Sequence, residues 1–225
     1  MQIGAIFDWD GVIIDSSAHH EESWERLARE LGKLLPDGHF EKGFGMRNAF
    51  IIPNLLKWAE DSEAVRAIAL RKEELYREVV REWGIEPVPG VTELMSLLRE
   101  DGHPAVIGSS TDRENITTAL PILGLEDTFV DIVASEDVSR GKPDPEVFLL
   151  DASRLGMAPE HCIVFEDTQV GIQAAQSGGI QVIAVSTTHP REDLLDADVV
   201  VASLGDVDRA LLLDVKQSNS KISQG

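Results

Sequence analysis

The sequence is poor in cysteine, in basic residues and in long apolar runs, and each shortage excludes a class of protein. The single cysteine, Cys162, cannot form an internal disulfide, and within the apolar run CIVF we expect a small buried hydrophobic residue of a reducing compartment. Only 20 Lys and Arg residues stand against 40 Asp and Glu residues, so the net charge of -20 disfavours nucleic acids and anionic membrane surfaces as partners. No run approaches the roughly 18 apolar residues of a membrane-spanning helix, and the first residues do not resemble a signal peptide. We therefore expect a globular cytoplasmic protein.

Short apolar runs recur along the chain and are separated by longer segments of helical periodicity. Most of these runs are nearly continuous rather than alternating, which is typical of strands covered by helices on both faces of a parallel sheet. The runs are IGAIF (3–7), PAVIG (104–108), FVDIVA (129–134), CIVFE (162–166), IQVIAVS (180–186) and ADVVVA (197–202). Helical patterns at 112–122, 145–156 and 169–178 are long enough for right-handed crossovers. The pattern predicts a doubly wound α/β domain.

A long interval between the first and second runs interrupts this rhythm. Helical segments at 17–31, 47–58 and 61–83 fill the interval, and a proline and glycine cluster at 87–90 precedes a further helix at 91–100. The sequence therefore predicts a small α-helical domain inserted after the first strand.

The expected boundaries follow from this reading. The core domain should comprise residues 1–15 and 87–215, and the helical domain, residues 16–86, should cover the carboxyl end of the first strand. The tail from Lys216 shows no periodicity, and we expect residues 216–225 to be disordered.

Two carboxylates, Asp8 and Asp10, follow the first strand directly. Ligands of open α/β sheets bind beyond the carboxyl ends of the strands, so these residues are candidates for a site. A solvated acidic turn explains the isolated pattern equally well. A calcium-binding EF-hand loop does not, because its sixth and twelfth positions would be Ile13 and His19 instead of Gly and Glu.

Three further polar groups follow later predicted elements. Ser109, Ser110 and Thr111 follow the second strand, where hydroxyl and backbone N–H groups bind an anion or simply cap a helix. Lys142 lies between a glycine and a proline, as many surface lysines do. Glu166 and Asp167 end the strand CIVFE, where they suit either a hard cation such as Mg2+ or the first turn of a helix.

The order of these motifs resembles the haloacid dehalogenase (HAD) superfamily, in its phosphatase and phosphomutase branch with a helical cap. The matching segments are FDWDGVIIDS, VIGSST, GKPDPEVF and VFEDTQVGIQAA, and the resemblance extends over residues 2 to 214. The insertion falls where that family places its cap. Asp15, Ser16, His20 and Trp24 are similar to residues of the β-phosphoglucomutase-like members.

The resemblance and the chemistry together assign roles. Asp8 is the expected nucleophile, since a carboxylate is ionised at neutral pH without a partner base. Asp10 is the expected general acid and base, and Ser109 and Lys142 are expected to bind the transferring phosphoryl group. For Mg2+ the resemblance implies the Asp8 and Asp167 side chains and the Asp10 backbone carbonyl.

Glu166 is expected to be an accessory ligand of the same cation. Ser110, Arg47 and His20 are candidates for substrate binding: Arg47 for a second anion, His20 at the hinge. A solvated arginine and a surface histidine are the simpler alternatives. Trp24 and Trp58 are most simply packing residues of the helical domain.

Three functions remain open at this point. The first is a Mg2+-dependent phosphatase acting on a small phosphorylated metabolite, in particular a sugar phosphate. The second is a phosphomutase that returns the phosphoryl group to a sugar, and the third is a non-catalytic protein that binds phosphorylated metabolites. Two other activities are disfavoured. Dehalogenation has little use for a second carboxylate such as Asp10, and the resemblance implies that phosphonatases carry a small residue at the position of Asp10. We expect a monomer or small homo-oligomer.

Overall fold

The computed structural model describes residues 2–43 and 46–220, with the backbone alone for residue 41 and residues 218–220. The chain divides into two compact units, one formed by residues up to Asp15 together with residues from Ile85 onward, the other by Ser16–Gly84. We call these the sheet unit and the helical unit. None of the helices in the described ranges combines the length and the apolar character needed to cross a membrane.

The sheet unit is built on a parallel sheet, which confirms the predicted fold class. Its strands are β1 Gly4–Phe7, β2 Ala105–Gly108, β3 Ile132–Val133, β4 Cys162–Glu166, β5 Gln181–Val185 and β6 Val199–Val201. Their order across the sheet is β3-β2-β1-β4-β5-β6, and all neighbours are parallel. The direction of winding therefore reverses beside β1, where open α/β sheets bind their ligands.

Helices cover the sheet, and they bury every residue of β1, β2, β4 and β5. These helices are α5 Val91–Glu100, α6 Arg113–Leu123, α7 Glu146–Arg154, α8 Gln169–Ser177 and α9 Arg209–Ser220. Phe7 and Phe165 are register partners on β1 and β4, and their rings stack with centroids 4.4 Å apart. Cys162 is buried without a disulfide, as expected.

The helical unit contains α1 Ser17–Leu31, α2 His39–Gly43, α3 Asn48–Phe50 with a π-helical continuation Ile51–Leu56, and α4 Ser62–Trp83. Gly32 ends α1 in the left-handed conformation, and the Asp61 carboxylate caps α4 by accepting a hydrogen bond from the Ala64 N–H. Trp24 and Trp58 are buried in the core of this unit, with ring centroids 6.0 Å apart in an edge contact. Both tryptophans are packing residues, as the sequence indicated.

The prediction of disorder from Lys216 onward is wrong for residues 216–220, whose backbone lies inside α9. Lys216 is buried and its ammonium donates a hydrogen bond of 2.7 Å to the carbonyl of Cys162. The sequence did not indicate this part of the helix, because the residues from Lys216 onward are mostly polar. A buried lysine that donates to a carbonyl cannot be told from a solvated lysine in the sequence. Residues 221–225 of the predicted tail lie outside the described residues.

Candidate active site

The loop after β1 brings Asp8 and Asp10 to the carboxyl edge of the sheet. The Asp8 N–H donates to the carbonyl of Phe165 on β4, at 3.0 Å, which extends the strand pairing by one residue. The chain then turns, with the Gly11 N–H donating to the Ile14 carbonyl at 2.7 Å. Gly11 has a φ of +84°, and a Cβ at this position would lie 2.0 Å from Oδ2 of Asp167. Glycine is therefore required on both grounds.

Lys142 reaches into this edge and pairs with two carboxylates. Its Nζ lies 2.7 Å from Oδ1 of Asp8 and 2.7 Å from Oε1 of Glu166. The Phe148 ring of α7 lies under the same ammonium, 4.7 Å from centroid to Nζ. Burial lowers the pKa of Lys142, but the charges of Asp8 and Glu166 outweigh burial and raise the pKa above its ordinary value. The lysine is thus a buried, fixed cation.

Three carboxylates meet beside this ammonium. Asp8, Glu166 and Asp167 each offer one oxygen, and these oxygens lie within 4.8 Å of one another. Burial raises the pKa of Asp8 to about 7, although Lys142 opposes the shift. Burial, followed by the charges of Glu166 and Asp8, raises the pKa of Asp167 to about 8. One ammonium does not balance three ionised carboxylates, so a bound cation would stabilise their ionised forms.

The donor set fits a hard divalent cation such as Mg2+. Asp167 is 2% exposed, and its Oδ1 has no hydrogen-bond partner among residues 2–43 and 46–220. A buried carboxylate oxygen without a partner is costly unless a cation satisfies it. All the candidate ligands are oxygens, which Mg2+ prefers. Asp8 and Asp167 are therefore suited to hold the ion directly.

Glu166, unlike Asp167, has both of its carboxylate oxygens in hydrogen bonds with protein groups. Its Oε1 accepts from Lys142, and its Oε2 accepts from the N–H groups of Asp167 and Thr168 and from the Thr168 hydroxyl, at 2.7–2.9 Å. Both oxygens are thus engaged by protein donors. This arrangement suits an accessory role in which Glu166 orients Lys142 and the Asp167 loop.

Asp10 and Ser109 are connected by Thr111, which belongs to the polar motif after β2 but received no role from the sequence. The hydroxyl of Thr111 donates a hydrogen bond to Oδ2 of Asp10, and its N–H donates to Oγ of Ser109 at 3.1 Å. Ser109 is buried directly after β2, whereas Ser110 is exposed in the same turn. The loops after β1 and β2 are therefore joined through Thr111.

Thr188, which the sequence analysis did not select, contacts the acidic cluster. The hydroxyl of Thr188, in the loop after β5, donates to Oδ2 of Asp167. The signal available in the sequence was weak: both Thr111 and Thr188 lie just beyond predicted strands, at the edge where ligands bind.

The helical unit holds the remaining predicted residues. Arg47 is exposed and immediately precedes α3. The His20 ring stacks on Tyr76 with centroids 4.1 Å apart, and its Nδ1 lies 2.6 Å from Nζ of the buried Lys72. An ammonium only donates, so Nδ1 of His20 is the acceptor. The sequence did not reveal Lys72, because nothing in the pattern of α4 distinguishes it from a solvated lysine.

Comparisons with known proteins identify the family. Residues 5–185 match the haloacid dehalogenase-like hydrolases. The chain is 37% identical over 218 residues to the 5-amino-6-(5-phospho-D-ribitylamino)uracil phosphatase of Arabidopsis thaliana, covering 96% of this chain and 57% of that protein. It is 33% identical over 209 residues to the validoxylamine A 7'-phosphate phosphatase of Streptomyces hygroscopicus subsp. limoneus, covering 90% of this chain and 94% of that protein. The solved structure of a β-phosphoglucomutase from Clostridium difficile is similar over all of both chains, with a TM-score of 0.82 and 26% identity.

The chain belongs to the haloacid dehalogenase-like hydrolase family, which confirms the resemblance stated from its motifs. Similarity to proteins named phosphatases, over nine-tenths of the chain, supports the enzyme class predicted from the sequence.

Proposed function

We propose that this protein is a Mg2+-dependent phosphatase of a small phosphorylated metabolite, in particular a sugar phosphate, acting through a phosphorylated Asp8. The observation that carries the proposal is the position of Asp8: its Oδ1 lies 2.7 Å from the buried ammonium of Lys142, and one of its oxygens lies within 4.8 Å of an Asp167 carboxylate oxygen. A proposed nucleophile, a cation for the phosphoryl oxygens and a ligand for a metal ion thus lie together at the carboxyl edge of the sheet.

In the first step, a carboxylate oxygen of Asp8 attacks phosphorus and forms an acyl phosphate. The bond between phosphorus and the ester oxygen breaks, and the departing oxygen takes a proton from Asp10. Lys142 and Ser109 stabilise the charge on the phosphoryl oxygens. When bound, Mg2+ supplies positive charge that offsets the repulsion between the Asp8 carboxylate and the anionic substrate.

In the second step, the Asp10 carboxylate accepts a proton from water, and the water oxygen bonds to phosphorus. The bond between phosphorus and the Asp8 oxygen breaks, which regenerates the carboxylate and releases phosphate. Thr111 holds the carboxylate that serves both steps, since its hydroxyl donates to Asp10. The Asp10 backbone carbonyl remains the third proposed metal ligand.

The substrate class is inferred from the relatives. Two of them are named for phosphorylated metabolites, and the similar solved structure is named for a phosphorylated sugar. We assign substrate choice to the helical unit, acting as a cap, with Arg47 and His20 as contacts and Ser110 as a contact from the sheet unit. The cytoplasmic location and the monomer or small homo-oligomer remain predictions.

A phosphomutase is the second candidate, favoured by the full-length similarity to the β-phosphoglucomutase structure. The acyl phosphate would then be passed to a second sugar hydroxyl instead of water. Incubation with β-glucose 1-phosphate, with and without a sugar bisphosphate, separates the two. Phosphate release supports the phosphatase, whereas isomerised sugar phosphate supports the mutase.

The test of the proposed function is a screen of phosphate release over several dozen phosphorylated metabolites, with Mg2+ and with EDTA. We expect activity on sugar phosphates that EDTA abolishes. Asp8→Asn should lower kcat by about 1000-fold or more, since it removes the nucleophile. Asp127→Asn, at an exposed aspartate of the sheet unit, is the matched control and should behave as wild type. If Asp8→Asn released phosphate as fast as wild type, the activity would come from a contaminating enzyme. The non-catalytic binding function would then be the remaining candidate.

A further inference from the structure

The two carboxylate oxygens of Asp167 have unequal surroundings. Oδ2 accepts a hydrogen bond from the Thr188 hydroxyl. Oδ1 is buried and has no hydrogen-bond partner within the described part of the chain. One oxygen is therefore held by the protein, and the other is left for a ligand.

The Thr188 hydroxyl is itself oriented by a neighbour. Nδ1 of His189 lies 2.8 Å from the same hydroxyl oxygen. A hydroxyl has one hydrogen to donate, and that hydrogen is directed at Asp167, so its oxygen accepts from the Nδ1–H of His189. The His189 imidazole thus donates to the Thr188 hydroxyl, and this hydroxyl donates to the Asp167 carboxylate.

Packing reinforces this chain. A Cβ on Gly11 would lie 2.0 Å from Oδ2 of Asp167 and 3.0 Å from the Thr188 methyl carbon, so the carboxylate and the threonine fill the space that this glycine leaves. Rotation of the Asp167 carboxylate would break the Thr188 hydrogen bond. The observed orientation is therefore fixed from two sides.

We propose that Thr188 is a positioning residue that restricts Asp167 to a single metal-binding oxygen and thereby favours Mg2+ over Ca2+. The inference rests on the proposed function, which places a divalent cation at Asp8 and Asp167. Mg2+ requires a compact octahedral shell and accepts single carboxylate oxygens, whereas Ca2+ takes six to eight oxygens and often binds a carboxylate through both. Glu166 is less available than Asp167, because its Oε2 already accepts three hydrogen bonds and its Oε1 accepts one from Lys142.

The experiment is calorimetric titration of the metal-stripped full chain with MgCl2 and, separately, with CaCl2. Thr188→Val removes the hydroxyl and keeps the shape, and Thr188→Ser keeps the hydroxyl. Thr187→Val is the matched control, because Thr187 is the exposed neighbour. Asp167→Asn tests the metal site itself.

We expect Thr188→Val to weaken Mg2+ binding by about 10- to 100-fold, the usual effect of losing a group that orients a ligand. Ca2+ binding should change by less than about 3-fold, because a freed carboxylate is able to offer both oxygens. Thr188→Ser and Thr187→Val should stay within about 3-fold of wild type for both ions. The ratio of Mg2+ affinity to Ca2+ affinity should therefore fall in Thr188→Val. A general loss of structure would weaken the binding of both ions and would not lower this ratio.

Two results would overturn the inference while leaving the metal site intact. One is Mg2+ binding by Thr188→Val at wild-type strength; the other is an equal loss of Mg2+ and Ca2+ affinity in Thr188→Val, whether or not Thr188→Ser shares it. In both, Asp167→Asn would still abolish binding. If Asp167→Asn itself bound Mg2+ as tightly as wild type, the metal site of the proposed function would be wrong as well.

Discussion

Lys142 and Asp8 are 134 positions apart in the sequence, and their charged atoms are 2.7 Å apart in the fold. The lysine side chain is only 7% exposed, so this ion pair is largely removed from water. Such a pair is costly to break from one side, because the remaining charge stays buried. Four predictions test this cluster and its surroundings.

Lys142→Met should lower kcat/KM by about 100-fold or more, because it removes the cation that we propose stabilises the phosphoryl oxygens. It should also lower the free energy of unfolding by about 3 kcal/mol, since it strands the carboxylates of Asp8 and Glu166. Phosphate release and urea unfolding measure the two effects. Arg140→Met, at an exposed cation two residues away, should change neither greatly. A Lys142→Met variant with wild-type kcat/KM would contradict the assigned role.

The affinity for Mg2+ should rise with pH through the range set by Asp8 and Asp167. Their pKa values of about 7 and about 8 mean that both carboxyls hold protons in the metal-free protein at lower pH. Mg2+ must displace those protons, so binding weakens as pH falls and levels off above about pH 8. Titration calorimetry in buffers of different ionisation enthalpy should show proton release on binding. An affinity that is constant from about pH 6 to about pH 8 would be inconsistent with this view.

Asp151→Leu should stabilise the protein at neutral pH. Asp151 is fully buried on α7, and within the described residues neither carboxylate oxygen has a hydrogen-bond partner. Burial raises its pKa well above the ordinary value, so the folded state binds a proton that the unfolded state releases above about pH 4. The resulting stability is present below that pH and is lost as pH rises.

Removing the carboxyl should therefore raise the free energy of unfolding at pH 7 by about 1–3 kcal/mol and flatten its dependence on pH. Asp151→Asn keeps a buried polar group and should gain less. Chemical unfolding of the three proteins between about pH 4 and about pH 8 provides the comparison. An Asp151→Leu variant and an Asp151→Asn variant that are both less stable than wild type at pH 7 would contradict this prediction.

Gly11→Ala should damage metal binding as well as stability. The left-handed backbone alone costs about 1–2 kcal/mol for alanine, and the added Cβ would collide with Oδ2 of Asp167. Gly124→Ala is the matched control, because Gly124 has a φ of +68° but its Cβ would meet no described atom within 4 Å. Both variants should lose stability, and only Gly11→Ala should bind Mg2+ more weakly. Equal Mg2+ affinity in the two variants would argue against the packing described for Asp167.

The sequence was sufficient to predict the strands and the polar residues that follow them. Continuous apolar runs identify buried parallel strands, and the parallel arrangement brings their carboxyl ends together. Their positions at strand ends made Asp8 and Asp167 candidates, whereas Lys142 and the roles of all three were predicted through the resemblance to the family; the fold places the three close together. The edge strand β3 proved shorter than the run 129–134, because it pairs with β2 alone.

Other features depend on side-chain contacts that no local pattern reports. Thr111 and Thr188 are ordinary loop threonines in the sequence, and only the fold directs their hydroxyls at Asp10 and Asp167. Lys72 and Lys216 resemble solvated lysines until the fold buries them. The structure was therefore needed to show which hydrogen-bond partners these polar side chains have.

Trapping the phosphoryl group during turnover tests the central claim most directly. The full chain is mixed with a good substrate and Mg2+, quenched in acid within milliseconds, reduced with borohydride and digested for mass spectrometry. We predict that the peptide containing Asp8 carries homoserine at that position, as reduction of an acyl phosphate requires, and that EDTA prevents it. Turnover with no modification of Asp8, or with the modification at another carboxylate, would contradict the account.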